Sequence, residues 1–522
     1  HMELIKKNIH MNRWKARAAT QLTLDDDFIV PDTMDDAEQV ILGTGDIQIE
    51  SFRSQGEKVT VKGKMDFRIL YRKAGGGLQA LAGSMPFEES INVEGLEDRD
   101  YTSAAWELDD LNIGMINSRK LSIKALVTLE VTAEALYDVE AAADVEAGGS
   151  GAEIEVLREK IEVAAIAVRR KDTYRIKETI SLSGNKPNIN HILWSEMRLC
   201  SSSARPMDGK IWLEGELIVF VIYDGEGENE TVQWLEESVP FSGELDLPEA
   251  SEDMIPQISM RLIHRDIEAR PDYDGEMREL EADAVLELDM KLYREEETQL
   301  LGDMYSTNRE LALETGEACF DRILTKNLCK CKVSDKIDLG NMGRILQICH
   351  SHGTVKIDET ESDSDGLQID GVLEVELLCL TADDDEPVRA ATEAVPFHYT
   401  AEAKGITAES IYQMNTGLDQ MTAVMTGGDM VEIRAVINID LLVLQPVKQQ
   451  VITSVREEPM DVQKLQKMPG IVGYIVQPED SLWKIAKKFH TTVDNIIETN
   501  VLPSEAIRPG DKLILVKEIA SG

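Results

Sequence analysis

Leu213-Glu-Gly-Glu-Leu-Ile-Val-Phe-Val-Ile-Tyr223 sets a glycine, Gly215, before an unbroken apolar run of β-favouring residues. A short run of this kind reads as a strand. Two further stretches echo it: Val61-Lys-Gly-Lys-Met-Asp-Phe-Arg-Ile-Leu-Tyr71 and Ile369-Asp-Gly-Val-Leu-Glu-Val-Glu-Leu-Leu-Cys379, with glycines at Gly63 and Gly371. Each glycine is followed by Pro-Phe, at Pro86-Phe87, Pro240-Phe241 and Pro396-Phe397, with glycine-to-proline offsets of 23, 25 and 25. Each is preceded by Ile-Leu, at Ile41-Leu42, Ile192-Leu193 and Ile345-Leu346, 22, 23 and 26 positions upstream. A later alternating strand also recurs, over Ala125–Val131, Ala284–Met290 and Ala435–Leu441. Its period of two gives one apolar and one wet face.

The glycine landmarks lie 152 and 156 residues apart, well beyond the roughly 20–50-residue period of stacked solenoid repeats. The units are therefore tandem domains. Strand signals with half-solvated faces predict a mainly β protein of three tandem antiparallel β-sandwich or barrel-like domains. Their spans are set at residues 1–152, 153–305 and 306–448. The first boundary falls in the Ala/Glu/Gly stretch from Glu140 to Ala152, which holds the flexible Gly148-Gly-Ser-Gly151, and the second between Gln299 and Glu317. Residues 449–470, polar and closed by Pro469-Gly470, read as a linker.

Composition narrows the function classes. With 522 residues the chain is too long for one core, and 43% hydrophobic with 29% charged residues is ordinary for folded soluble protein. A formal charge of −43 repels phosphate backbones and anionic lipid, which excludes nucleic acid as a partner. The longest purely apolar run, Leu217 to Tyr223, falls far short of the roughly 18 residues of a membrane span, so no membrane insertion is expected. His1-Met2 reads as an expression remnant, and the stretch after it lacks the apolar core of a signal peptide. Six sparse cysteines agree with a reducing compartment, and a cytoplasmic location is expected.

A separate module occupies 471–518. Tyr474-Ile-Val476 is a short strand, and Asp480 or Ser481 is placed to cap a helix whose Leu482, Ile485, Ala486 and Phe489 form one buried stripe. Thr491 or Thr492 caps a second helix through Val493, Ile496 and Ile497, which Asn500 ends. Pro509-Gly510 then turns into the strand Lys512–Val516. Trp483 stands one position off the buried stripe beside Lys484, Lys487 and Lys488, placed either to pack along the module's edge or to anchor an interface. From Tyr474 to Val516, six acids face five bases, making this the surface of the chain that least repels an acidic partner.

Tyr-x-Val, Asp480-Ser-Leu-x-x-Ile-Ala, Asn500 and Arg508-Pro-Gly-Asp-x-Leu together resemble the LysM family. That resemblance implies a βααβ fold and a groove for N-acetylglucosamine polymers, formed by the loops before the first helix and before the last strand. Where LysM domains usually carry glycine before the Asp, this chain has Glu479 after Pro478. Glycine there permits a loop conformation that Glu adopts only at a cost, which counts against glycan binding. The expected partner-binding set is Pro478, Glu479, Asp480, Ser481, Trp483, Lys484, Lys487 and Arg508.

Leu182-Ser-Gly-Asn-Lys-Pro-Asn-Ile-Asn-His-Ile-Leu-Trp194, its variants at Ile29–Leu42 and Leu339–Leu346, and the glycine-strand-Pro-Phe frame resemble the SPOCS domains of the SipL-like spore-coat morphogenetic family. The resemblance implies a mother-cell protein at the forespore surface. Through its LysM it would bind the coat-basement ATPase, stage IV sporulation protein A, and with other coat proteins help the coat encase the forespore.

Cys329-Lys-Cys331 and Cys349-His350-Ser-His352 offer metal-ligating types. Cys-x-Cys is not the usual knuckle spacing and the matching regions of the other two units have no such cluster, so reduced core cysteines and a surface histidine pair are expected, with no metal and no cofactor. Carboxylate runs such as Glu359–Asp365 and Asp383–Glu386 read as solvated loop tips. Phosphate-loop and serine-hydrolase motifs are absent. The expectation is a non-enzymatic assembly scaffold with no catalytic residues. Its rival is a peptidoglycan- or chitin-binding cell-wall protein, and an enzyme with a LysM tag is a third class.

Overall fold

The computed structural model describes residues 2–227, 232–467 and 469–517. His1, one residue of the expected linker (468) and the last residue of the expected LysM span (518) lie outside the described residues.

The first unit folds as β1 (Glu3–Ile29), β2 (Ala37–Gln55), β3 (Lys58–Lys73), β4 (Leu78–Asn92), β5 (Tyr101–Asn117) and β6 (Lys120–Glu146). The second repeats this as β7 (Ile154–Ser181), β8 (Ile189–Met207), β9 (Lys210–Gly225), β10 (Val232–Asp246), β11 (Ile255–Pro271) and β12 (Met277–Ser306). The third comprises β13 (Glu310–Asp338), β14 (Ile345–Ser362), β15 (Gly366–Thr381), β16 (Val388–Glu402), β17 (Ile411–Gly427) and β18 (Met430–Glu458). Each unit makes two three-stranded antiparallel sheets, in the first β2-β3-β4 and β1-β6-β5. Alternate residues of both sheets meet in one core, where Val61, Phe67 and Ile69 share a cluster with Leu121, Val127 and Val131. The units are β-sandwiches.

The glycine-to-Pro-Phe spacing is a packing constraint. Gly63, Gly215 and Gly371 sit directly across the ladder from Phe87, Phe241 and Phe397. A β-carbon on these glycines would come within 3.0, 2.8 and 2.7 Å of the facing rings. The accompanying prolines lie on β4, β10 and β16, edge strands of their sheets, where a missing N–H is tolerated.

The continuous run of β9 has its own cause. Leu217, Val219, Val221 and Tyr223 face the sandwich core, while Phe220 and Ile222 point the other way into a cluster drawn from all three units. The equivalent Leu70 and Leu378 join them, so the sandwiches stand around an approximate threefold axis. The half-solvated faces expected of the sheets do not hold for β3, β9 and β15 near the axis, where Leu70, Phe220, Ile222 and Leu378 are covered as well.

A second correction concerns length. The pairs β1/β6, β7/β12 and β13/β18 continue past the sandwiches as ribbons that bury Ile9, Met11, Val163, Leu300, Phe320 and Val451 together. The stretch expected as linker from residue 449 is therefore strand to Glu458, and the Ala/Glu/Gly stretch from Glu140 is strand to Glu146. Turns between units occupy 147–153 and 307–309.

After a short helix, α1 (Val462–Lys467), the terminal module runs β19 (Ile471–Ile475), α2 (Leu482–Lys488), α3 (Val493–Asn500) and β20 (Lys512–Val516), with β19 and β20 antiparallel.

Candidate functional site

Of the two residues placed to cap α2, Ser481 does so: its hydroxyl accepts from the Lys484 N–H at 3.2 Å. Asp480 instead ties the preceding loop, accepting the Tyr474 hydroxyl at 2.7 Å and the Gln477 N–H at 2.8 Å. These bonds hold its carboxyl below the ordinary range, the backbone N–H foremost. Thr492 caps α3. The Asn500 side chain donates to the Ile496 and Ile514 carbonyls and accepts from the Ile514 N–H, clamping β20 to α3. The Asp and Asn of the motif thus build the fold. Glu479 adopts φ +68°, the left-handed region where glycine is the natural occupant, and its carbonyl accepts from Lys484 Nζ at 2.8 Å.

The stripe of α2 is buried as its spacing requires, with Leu482, Ile485 and Ala486 packed on Ile496 and Leu513. Trp483, off that stripe, faces the end of β12, where its Nε1–H donates to Asp303 Oδ2 at 2.9 Å. Lys487 Nζ reaches both oxygens of the same carboxylate, at 2.6 and 2.9 Å. Tyr305 meets the indole edge-on with centroids 4.9 Å apart, and its hydroxyl donates to the Thr491 carbonyl at 2.7 Å. The module is docked on the ribbon by the α2 face singled out in the sequence. Trp483 and Lys487 converge on one carboxylate, whereas Pro478, Glu479, Ser481, Lys484 and Arg508 are exposed. Asp303 and Tyr305 escaped sequence reading because they fall in the boundary segment. An aromatic residue within it was the available signal.

The candidate metal ligands separate. Cys329 and Cys331 lie in the third sandwich core, while Cys349 sits at the axis, its thiol donating to the Leu378 carbonyl at 3.2 Å and pushed up to about 12 by burial. The expected surface histidine pair is corrected: His350 is 4% exposed, because β14 turns this face toward the axis. Leu42 in the first unit and Trp194 in the second occupy its place, each paired with the corresponding central strand. Buried there, His350 needs partners. Its ring stacks on Phe220 at 4.3 Å, Nδ1 lies 2.5 Å from Glu236 Oε2 and Nε2 lies 3.2 Å from Glu196 Oε2. Burial opposes its charge, yet the two carboxylates hold it up at about 9. Burial and then Arg198 push neighbouring His352 down to about 3.

Three tandem sandwiches around an axis, carrying a docked βααβ module, define a multidomain β-repeat protein with a small terminal α/β module. Comparison with family models gives the class its name. The family described as SipL, SPOCS domain matches residues 36–116, 188–270 and 344–426, and the LysM domain matches 474–516. The chain thus has the SipL-like architecture of three SPOCS domains followed by a C-terminal LysM domain, which fits a sporulation-related protein. Each SPOCS match spans one inner sheet and the strand after it, leaving the long ribbons outside. No curated protein and no solved structure matches the chain. Among the described residues no helix is long and apolar enough to cross a membrane.

Proposed function

We propose that this chain is a non-enzymatic scaffold of spore-coat assembly. It binds the coat-basement ATPase, stage IV sporulation protein A, through its LysM module at the forespore surface in the mother cell, and promotes encasement of the forespore. The observation that carries this reading is the α2 face: Trp483 and Lys487 already hold a protein carboxylate with an aromatic ring beside it. Tryptophans of this kind serve as anchors for protein surfaces.

The rival reading, a binder of peptidoglycan N-acetylglucosamine, rests on the LysM fold itself. Calorimetric titration of the full chain with the purified ATPase and, separately, with N-acetylglucosamine oligomers distinguishes the two. The expected result is saturable heat with the ATPase alone, abolished by Trp483→Glu while the circular dichroism of the sandwiches is unchanged. Saturable heat with the oligomers and none with the ATPase overturns the proposal.

A further inference from the structure

The polar cluster at the axis has no counterpart in the first unit, where Leu42 and Thr44 stand at the positions of His350 and His352. Histidines two apart on β14 present both rings to one face, and that face meets β8 of the second unit. There the Trp194 indole N–H donates to Glu196 Oε1 at 3.2 Å, which leaves Glu196 Oε2 directed at the histidines, 3.2 Å from His350 Nε2 and 3.9 Å from His352 Nδ1. One ligand atom from each of Glu196, His350 and His352 lies within 4.8 Å of those of the other two.

We propose that Glu196 Oε2, His350 Nε2 and His352 Nδ1 bind one divalent transition-metal ion of the zinc class at the seam between the second and third units. Two imidazoles and a carboxylate are a donor set suited to such ions. Tetrahedral ligands about 2.0–2.1 Å from a metal stand about 3.3 Å apart, close to the 3.2 Å spacing and about 0.6 Å short of the 3.9 Å one.

Two further features point to a cation. His352 Nδ1 is buried and has no hydrogen-bond partner among the described residues, a cost that a metal bond removes. Glu236 Oε2, 2.5 Å from His350 Nδ1, is placed as the outer carboxylate that fixes a ligating histidine with its other nitrogen toward the metal. The ring is also locked by Phe220. The charges facing the site are the carboxylates of Glu196, Glu236 and Glu376 and the guanidiniums of Arg68 and Arg198, the latter 3.7 Å from Glu196 Oε2. Metal binding displaces the proton between His350 Nε2 and Glu196 to solvent. Because Glu196 belongs to the second unit and both histidines to the third, the ion would tie two sandwiches together.

The test is titration of the chelator-stripped full chain with Co²⁺, read by its d–d absorption, and with Zn²⁺ by calorimetry. One equivalent is expected, with affinity falling about 10- to 100-fold in Glu236→Gln, falling further in His352→Gln, and unchanged in His398→Gln at an exposed site. No saturable Co²⁺ band, or wild-type affinity in His352→Gln, overturns the proposal. Zinc-edge X-ray absorption of the wild-type chain decides even if a variant fails to fold: a shell of N and O only, at about 2.0–2.1 Å, supports it. A sulfur shell at about 2.3 Å assigns the metal to cysteines and overturns it.

Discussion

Gly371 and Gly417 are both strand glycines, yet they do opposite things. A β-carbon at Gly371 would lie 2.5 Å from the Lys356 carbonyl oxygen and 2.7 Å from the Phe397 ring, while Gly417 has open space. Gly371→Ala should therefore cost about 1–3 kcal/mol by overpacking, and Gly417→Ala should stay within about 0.5 kcal/mol of wild type. Equal denaturation midpoints for the two would refute the packing explanation of the glycine-to-Pro-Phe spacing. Glu479, at φ +68°, is the reverse case. The left-handed conformation costs a non-glycine residue about 1–2 kcal/mol and glycine's own entropy returns about 0.5–1 kcal/mol of that, so Glu479→Gly should stabilise the module by about 0.5–1 kcal/mol. Slower amide exchange across residues 474–516 is the expected readout.

At the scale of strands, what was legible depended on how many faces are buried. The run Leu217–Tyr223 announced a strand because its sandwich face and its axis face are both apolar, and the terminal helices announced themselves through one clean stripe. The distal ribbons did not, since Val451 and Ile452 are buried in different clusters between polar neighbours, a pattern no single-face template fits. Trp483 was visible as a residue off its stripe, whereas Asp303 is one acid among 97 and gains its role only when β12 meets α2. Ion pairs between units were equally hidden. Glu134 on β6, 2% exposed, meets Arg169 Nε at 2.7 Å and Lys291 Nζ at 2.5 Å across the seam between the first two units. Burial alone would raise its pKa, but Lys291 and Arg169 outweigh burial and hold the carboxyl below 4.5. A depressed carboxylate contributes stability that is fully present above its ordinary value and lost as pH falls through the depressed one. Glu134→Gln, which leaves two buried cations short of an anion, should cost about 3–5 kcal/mol at pH 7. Thermal melts should show that gap narrowing below pH 4.5, and a gap constant with pH would refute the charge assignment.

For the molecule as a whole, the docked LysM would make the proposed binding of the ATPase a competition. The Trp483 N–H and Lys487 Nζ both donate to Asp303, an internal acceptor, so an external partner using this face must first release the module. Lys487 is 41% exposed and its ion pair adds little through solvent. The indole bond to a charged acceptor, with Tyr305 packed beside it, is the larger part, about 1.5–3 kcal/mol. If docking is worth about 2 kcal/mol, the released form is a few per cent of the chain, and apparent affinity is reduced by that fraction. Asp303→Asn should then tighten binding of the ATPase to the full chain by about tenfold, with the gain in the apparent association rate. The same variant should speed amide exchange in residues 482–490 without altering the sandwiches, since Asp303 lies at the end of β12, outside their cores. Faster exchange with unchanged ATPase affinity would mean that the partner docks on the exposed loops of Pro478, Glu479 and Arg508 instead. Unchanged exchange would mean that Asp303 does not hold the module at all.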